Sequence, residues 1–275
     1  MTQSISFDQV ADRYDQTRYY PPEVSEQIAE ALLTHGHVPG RGSLLEIGIG
    51  TGRIALPLLA RGVNLTGVDI SPRMVERLQE KYAALQAEHA ERIWGDLTVE
   101  LADMTALPYA DAAFDAAVGV HVLHLVPEWR SALDEVLRVV KPGGAFLLGQ
   151  DVREGTLHHR IHDQWQELVT ALGYTPRRVG AQDTAEVREE LRARGLPVEV
   201  FTAATWVVYY APRVVLDSIL VREWSLTWHV PDEIFAESAQ QLAAWAEREY
   251  GDQLDEPRPA TCSFQLTVAR LPATT

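Results

Sequence analysis

The stretch LLEIGIGTGR, residues 44–53, sets Glu46 two positions ahead of Gly48 and repeats glycine at Gly50 and Gly52. Glycine reaches left-handed backbone conformations without steric cost and lets another molecule approach the main chain closely. Three glycines between an apolar run and a helix-compatible stretch predict a ligand lying across the loop, near the exposed N–H groups of a helix start. Asp69, nineteen residues after Gly50, ends a second apolar run, VNLTGVDI. An acid there can accept from ribose hydroxyls, in a nicotinamide dinucleotide or in another adenosine cofactor. The glycine spacing separates the two: a dinucleotide loop wants G-x-G-x-x-G, and here the third position is Arg53.

Histidines carry the remaining candidate chemistry. His121 and His124 stand in GVHVLHLV, directly after the run FDAAVGV, where open α/β sheets meet their ligands. His121, closer to the strand end, is the candidate general base, while His124 reads as a ring packed on the next helix. His158 and His162 are spaced i, i+4 with His159 between them, and Asp163 is the only nearby third ligand. Without an H-E-x-x-H pattern they read as a polar helix face, and no metal is expected. Trp206, Tyr209, Tyr210, Trp224 and Trp228 could wall an apolar pocket or form a local core; Trp224 and Trp228 share a face if their segment is helical.

Strands alternating with helices must position these groups. Pro21 and Pro22 precede a helical stripe of Val24, Ile28 and Leu32. Strands are expected over 44–47, 63–70, 99–104, 114–120 and AFLLGQ. Between them lie a helix to about Ala60, bent at Pro57; a helix capped by Ser71-Pro72 with Met74, Leu78, Tyr82 and Leu85 on one side; and a helix marked by Leu133, Val136, Leu137 and Val140, ended by KPGG. That rhythm predicts an α/β fold with a mostly parallel sheet. After residue 150 it changes: helices over 157–172, 183–194 and roughly 212–250 surround a strand or two in VEVFTAATWVVYYA, and TCSFQLTVARL closes the chain as a late strand.

A chain of 275 residues with 46% hydrophobic and 23% charged residues fits one large α/β domain with an insertion. Its 24 Lys+Arg against 39 Asp+Glu give a net charge of −15, which argues against nucleic acid as a partner. A single cysteine, Cys262, excludes an intramolecular disulfide and a zinc–cysteine cluster. The first residues lack an apolar core and no run approaches a membrane span, so a cytoplasmic protein is expected.

These segments together resemble the class I S-adenosylmethionine-dependent methyltransferases, in the small-molecule branch that includes quinone-biosynthesis enzymes. LLEIGIGTGR, GVDISPRMVERL, LADMTALPYADAAFDAAVGVHVLHLV and VLRVVKPGGAFLL stand in the family's order, and the resemblance covers roughly residues 7–150. It implies a doubly wound, mostly parallel seven-stranded sheet of Rossmann-like type, with a helical cap inserted before the last strands. Residues 1–40 would cover the cofactor, 41–150 would bind it, 151–250 would form a helix-rich substrate cap, its inserted part about 175–250, and 251–275 would return to the sheet. The glycines would lie against the methionine portion of S-adenosylmethionine, with Glu46 on its ammonium. Asp69 would hold the ribose, Ile70 and Met74 would pack near the adenine, and Asp103 would accept from its amino group beside the backbone of Met104. Val120 and His121 would sit by the methionine and the transferring methyl. Tyr14, Arg18 and Tyr19, in DRYDQTRYY, resemble the segment that closes over the cofactor.

The implied function is methyl transfer by in-line displacement to O, N or C of a small, partly apolar acceptor, leaving S-adenosylhomocysteine. The branch's acceptor residues are variable; His124, His158, Trp206 and Trp224 are the candidates here. The N/D-P-P-Y motif of many nucleic-acid base methylases is absent after the fourth strand, where HVLHLV stands. A non-catalytic binder of the same cofactor, acting as a sensor or partner subunit, is the alternative, and cofactor turnover separates the two. Either a monomer or a homodimer is compatible with the sequence.

Overall fold

In the computed structural model, which describes residues 4–8, 11–39, 42–154 and 157–273, seven strands form one sheet. They are β1 (Ser43–Ile47), β2 (Asn64–Asp69), β3 (Leu97–Leu101), β4 (Phe114–Val120), β5 (Val140–Glu154), β6 (Val198–Tyr210) and β7 (Arg258–Arg270), in the order β3-β2-β1-β4-β5-β7-β6. β1 runs parallel to β2 and β4, β2 to β3, and β4 to β5. From β1 the chain steps outward through β2 to β3, then returns to β4 on the other side of β1. In open α/β sheets such a reversal leaves a crevice beyond the carboxyl ends of the strands. The glycine loop, Asp69 and Val120 all fall at those ends. Leu44, Leu45 and Ile47 of β1 are fully buried, as a central strand covered on both faces requires.

The helices are α1 (Ala11–Thr17), α2 (Pro22–Gly36), α3 (Ala55–Leu59), α4 (Pro72–Glu88), α5 (Trp129–Val139), α6 (Leu157–Ala171), α7 (Thr184–Ala193), α8 (Pro212–Leu220), α9 (Ser225–Trp228) and α10 (Asp232–Tyr250). None among the described residues is long and apolar enough to cross a membrane. The chain divides into two compact units. The first takes the chain up to Gln150, with Val179–Ala204 and everything from Phe264 onward; the second is Asp151–Arg178 with Thr205–Ser263. α7 therefore groups with the sheet unit, where Val187 and Leu191 join a core of Leu45, Trp129, Val136 and Phe146. The second unit has its own core, built from Ile161 and Trp165 of α6, Leu216 and Ile219 of α8, and Leu242 and Ala246 of α10.

Several local expectations change. α3 is only five residues long, so Pro57 falls in its first turn, where a missing N–H costs no intrahelical bond and no bend is forced. β5 begins at Val140, directly after α5, and the register against β4 shifts between Phe114 and Ala116, which makes 141–144 an irregularity within the strand rather than a turn ahead of it. The stretch 212–250 breaks into three helices. Trp224 precedes α9 and Trp228 ends it, so the two do not share a helix face: the Trp224 indole donates to Ser218 Oγ (2.9 Å) and that of Trp228 to the Arg222 carbonyl (2.6 Å).

Candidate functional site

β2 holds the glycine loop in place. Gly48 and Ile49 donate to the Val68 carbonyl (2.8 and 3.1 Å), Gly50 donates to Asp69 Oδ2 (2.9 Å), and Gly52 to the Ile49 carbonyl (3.1 Å). All three glycines have positive φ, at 65°, 55° and 84°, but their surroundings differ. A Cβ on Gly48 would come within 2.5 Å of Val122 Cγ2, one on Gly52 would overlap Leu78 Cδ1, and one on Gly50 would meet nothing nearer than the Gly48 carbonyl at 4.0 Å. Gly52 thus lets α4 pack under the loop, and Gly48 lets the segment after β4 close beside it. Gly50 alone keeps its Cβ side open, as a cofactor cradle requires. Gly52→Ala is expected to destabilise the fold by about 2–4 kcal/mol, from overpacking against buried Leu78 plus left-handed strain; urea denaturation measures it.

Two acids face this loop. Asp69 Oδ1 accepts from the Ser71 N–H (2.9 Å) while Oδ2 takes Gly50, and burial pushes its pKa up against those backbone bonds. Glu46 is 2% exposed, and its Oε2 is buried with no hydrogen-bond partner. Burial raises its pKa well above the usual carboxylate range; Arg53 draws it down and Asp69 pushes it further up. An unpartnered buried carboxyl oxygen costs several kcal/mol in general unless a donor reaches it. A ligand ammonium is such a donor, and the open side of Gly50 and the lone pairs of Asp69 suit the rest of an adenosyl amino acid.

The N-terminal segment is tied onto this loop. Asp15 accepts from Thr51 Oγ1 (2.5 Å) and pairs with Lys81 (2.8 Å). Asp8 accepts from Ser71 Oγ (2.6 Å) and the Arg73 N–H (3.2 Å), and the first of these bonds holds its carboxyl below the usual range. Asp12 pairs with Arg73 (3.1 Å). Arg53 donates to the Arg18 carbonyl (3.0 Å) and lies 4.4 Å over the Tyr20 ring, which meets Phe264 edge-on. Tyr14 is half-buried on α1, edge-on to Phe7. Tyr19 departs from expectation: it is 69% exposed, and Tyr20, at 3%, takes the inward place. Sequence reasoning missed Asp8, Asp12, Asp15, Tyr20, Thr51 and the role of Arg53. The i, i+3 spacing of Asp12 and Asp15 on α1 was a usable signal. Asp15→Ala is expected to speed cleavage within the first twenty residues; limited proteolysis with mass spectrometry reads it out.

The other expected positions divide. Met104 is buried beside Gly48, and Met74 is buried in the first turn of α4, its N–H bonded to Ser71 Oγ (3.1 Å). Ile70 is half-buried just past β2. Asp103 is exposed, and its Oδ1 accepts from the Thr105 N–H and hydroxyl (2.9 and 2.8 Å), so it caps a turn. Val120 ends β4 opposite Gly149, and the next residue, His121, turns to φ 52° while donating its N–H to the Gly149 carbonyl (3.3 Å). Positive φ is uncommon outside glycine and is concentrated at functional sites. His124 lies in a short helical turn whose carbonyl receives the Gly180 N–H (3.1 Å). His158, Trp206 and Trp224 belong to the second unit. There the His158 ring stands 4.3 Å from His162 and 5.0 Å from Trp224, while Trp206 is half-buried on β6. Among the described residues no three His, Cys, Asp or Glu side chains are grouped to hold a metal ion.

Residues 45–148 match the family described as a methyltransferase domain. Demethylmenaquinone methyltransferase of Clavibacter sepedonicus is 34% identical over 148 residues, 53% of this chain and 56% of that protein. The 27-O-demethylrifamycin SV methyltransferase of Amycolatopsis mediterranei is 36% identical over 130 residues, 46% of this chain and 45% of its own. The chain spans about half the length of the curated relatives it matches. Phospholethanolamine N-methyltransferase 2 of Haemonchus contortus, solved with S-adenosylhomocysteine, shares the fold at 16% identity and a TM-score of 0.53, over 97% of this chain and 58% of that one. Over residues 45–148 the chain is thus similar to methyltransferase domains, and the relatives it matches there are named as methyltransferases of small molecules.

Proposed function

We propose that the protein transfers a methyl group from S-adenosylmethionine to O, N or C of a small, partly apolar acceptor. The observation that carries this is Glu46, a buried carboxyl without a hydrogen-bond partner beside a glycine loop with one open side. When bound, the cofactor supplies an electrophilic methyl on a sulfonium, itself a good leaving group. What the protein must do is hold and orient. Glu46 takes the ammonium, Asp69 accepts from the ribose hydroxyls, and Gly50 leaves room for the methionine portion. Ile70, Met74 and Met104 line the adenine side, where Asp103 keeps an oxygen for its amino group. The segment from Asp8 to Tyr20, tied at Thr51, Ser71 and Arg53, covers the cofactor and excludes water. His121, beside Val120, is placed to take the acceptor's proton where that acceptor is a phenol or alcohol. His124 in the first unit, and His158, Trp206 and Trp224 in the second, are the proposed acceptor-binding candidates.

Methyl-labelled S-adenosylmethionine incubated with a panel of phenols, amines and carboxylic acids tests this. Labelled product from one acceptor class is expected. Tight binding of S-adenosylhomocysteine with no labelled product across the panel would favour a sensor or partner subunit instead.

A further inference from the structure

Gln150 is the last residue that β5 contributes to the first unit. It stands one place beyond Gly149, which pairs with Val120 at the end of β4. The His121 N–H donates to that same Gly149 carbonyl (3.3 Å). Gln150 is half-buried, and its Oε1 accepts from the Thr184 hydroxyl at the start of α7. The segment leading into α7 is docked on the turn that follows His121. There Gly180 donates to the His124 carbonyl (3.1 Å) and Ala181 to the Leu123 carbonyl (3.2 Å). A Cβ on Gly180 would overlap the carbonyl oxygens of Leu123 and Val126, so glycine is required for this approach. Hydrogen bonds and chain connections thus close a ring, from His121 through Gly149 and Gln150 to Thr184, then through 180–181 back to the turn at 123–125. Every residue of the ring lies in the first unit.

That ring fixes a side-chain amide next to the candidate base. With Thr184 on Oε1, what Gln150 presents to a ligand is its Nε2 amide, a pair of N–H donors. The charges nearby are taken. The Gln182 N–H donates to Glu186 Oε2 (2.8 Å) and the Glu186 N–H to Asp183 Oδ1 (2.8 Å), so two acids occupy the N–H groups around the start of α7. Arg130 pairs with Glu186 and Glu190 (3.3 and 2.9 Å), and Arg194 with Glu190 (3.0 Å). A carboxylate or phosphate is best met by a cation; an uncharged N–H donor suits a phenol or carbonyl oxygen and offers nothing to an ammonium, which itself only donates. We propose that Gln150, oriented by Thr184, donates to an oxygen of the acceptor beside His121 and so selects phenolic or carbonyl oxygen over amines. The word acceptor rests on the methyl-transfer reading; the binding of such an oxygen does not.

Calorimetric titration of the full chain with p-cresol, toluene and benzylamine tests it, each with and without S-adenosylhomocysteine, which is also titrated alone into every variant. With S-adenosylhomocysteine present, p-cresol is expected to bind saturably, and toluene and benzylamine about tenfold more weakly or not at all. Gln150→Leu should weaken p-cresol about tenfold and leave toluene and S-adenosylhomocysteine as in wild type, so the preference for the phenol disappears. Thr184→Val removes the hydroxyl that orients the amide. It should reduce the preference in the wild-type background and change nothing further in Gln150→Leu, a pattern that a merely structural threonine would not give. The proposal is overturned if wild type does not bind p-cresol, if toluene or benzylamine binds equally, if Gln150→Leu keeps the preference or weakens p-cresol and toluene alike, or if Thr184→Val leaves the preference intact. A Gln150-dependent preference for p-cresol without any S-adenosylhomocysteine binding would overturn the methyl-transfer reading and leave the oxygen-binding site standing.

Discussion

Asp69→Ala is expected to weaken S-adenosylhomocysteine binding by about a hundredfold or more. Two hydrogen bonds donated by ribose hydroxyls to a charged carboxylate are worth about 1.5–3 kcal/mol each, and each 1.4 kcal/mol is tenfold in affinity. The same carboxylate also holds the Gly50 and Ser71 N–H groups, so alanine loosens the loop as well. Asp69→Asn separates the two effects, because the amide oxygen can still accept from one backbone N–H while the charge is lost. Calorimetry on both variants, with thermal unfolding to follow the loop, gives the split. Wild-type affinity in Asp69→Ala would reduce Asp69 to a loop support.

Glu46→Gln is expected to separate stability from binding. In the free protein the buried carboxyl is held above its ordinary pKa of 4.5, chiefly by burial. A folded-state pKa above the unfolded one means that the folded protein binds more protons in between. Stability from this group is then fullest below about pH 4.5 and is lost as pH rises through the folded value. Glutamine removes that loss, so the free variant should unfold at a higher temperature than wild type at pH 7 and at the same temperature below pH 4.5. Cofactor binding moves the other way. An ammonium at Glu46 favours the ionised form, so wild type should release a proton on binding in the window between the two pKa values. Calorimetry in buffers of different ionisation enthalpy measures that proton, and Glu46→Gln should release none and bind about tenfold more weakly. Equal affinity and equal proton release in the two proteins would remove Glu46 from the cofactor site.

The core of this arrangement was legible because it is local. LLEIGIGTGR and the acid at Asp69 are each set by a strand end and the turn that follows, and short-range spacing encodes both. The glycines' separate tasks were not legible: which one packs on Leu78 and which faces open space depends on α4 and β4, far along the chain. The exchange of Tyr19 for Tyr20 has the same cause, since adjacent residues leaving a helix differ only in what they meet, here Phe264 and Arg53. Arg53 read as a departure from a dinucleotide pattern; in the folded chain it anchors the N-terminal segment and places positive charge near Glu46. Arg153 of β5 and Cys262 of β7 fall on neighbouring strands that are distant in sequence, a placement no periodicity could have announced.

The most direct test of the central claim is a calorimetric titration of the full chain with S-adenosylhomocysteine and, separately, with NAD. The account predicts micromolar binding of S-adenosylhomocysteine, on the order of 8 kcal/mol, and none of NAD. Binding of NAD in place of S-adenosylhomocysteine, or of neither, would contradict it.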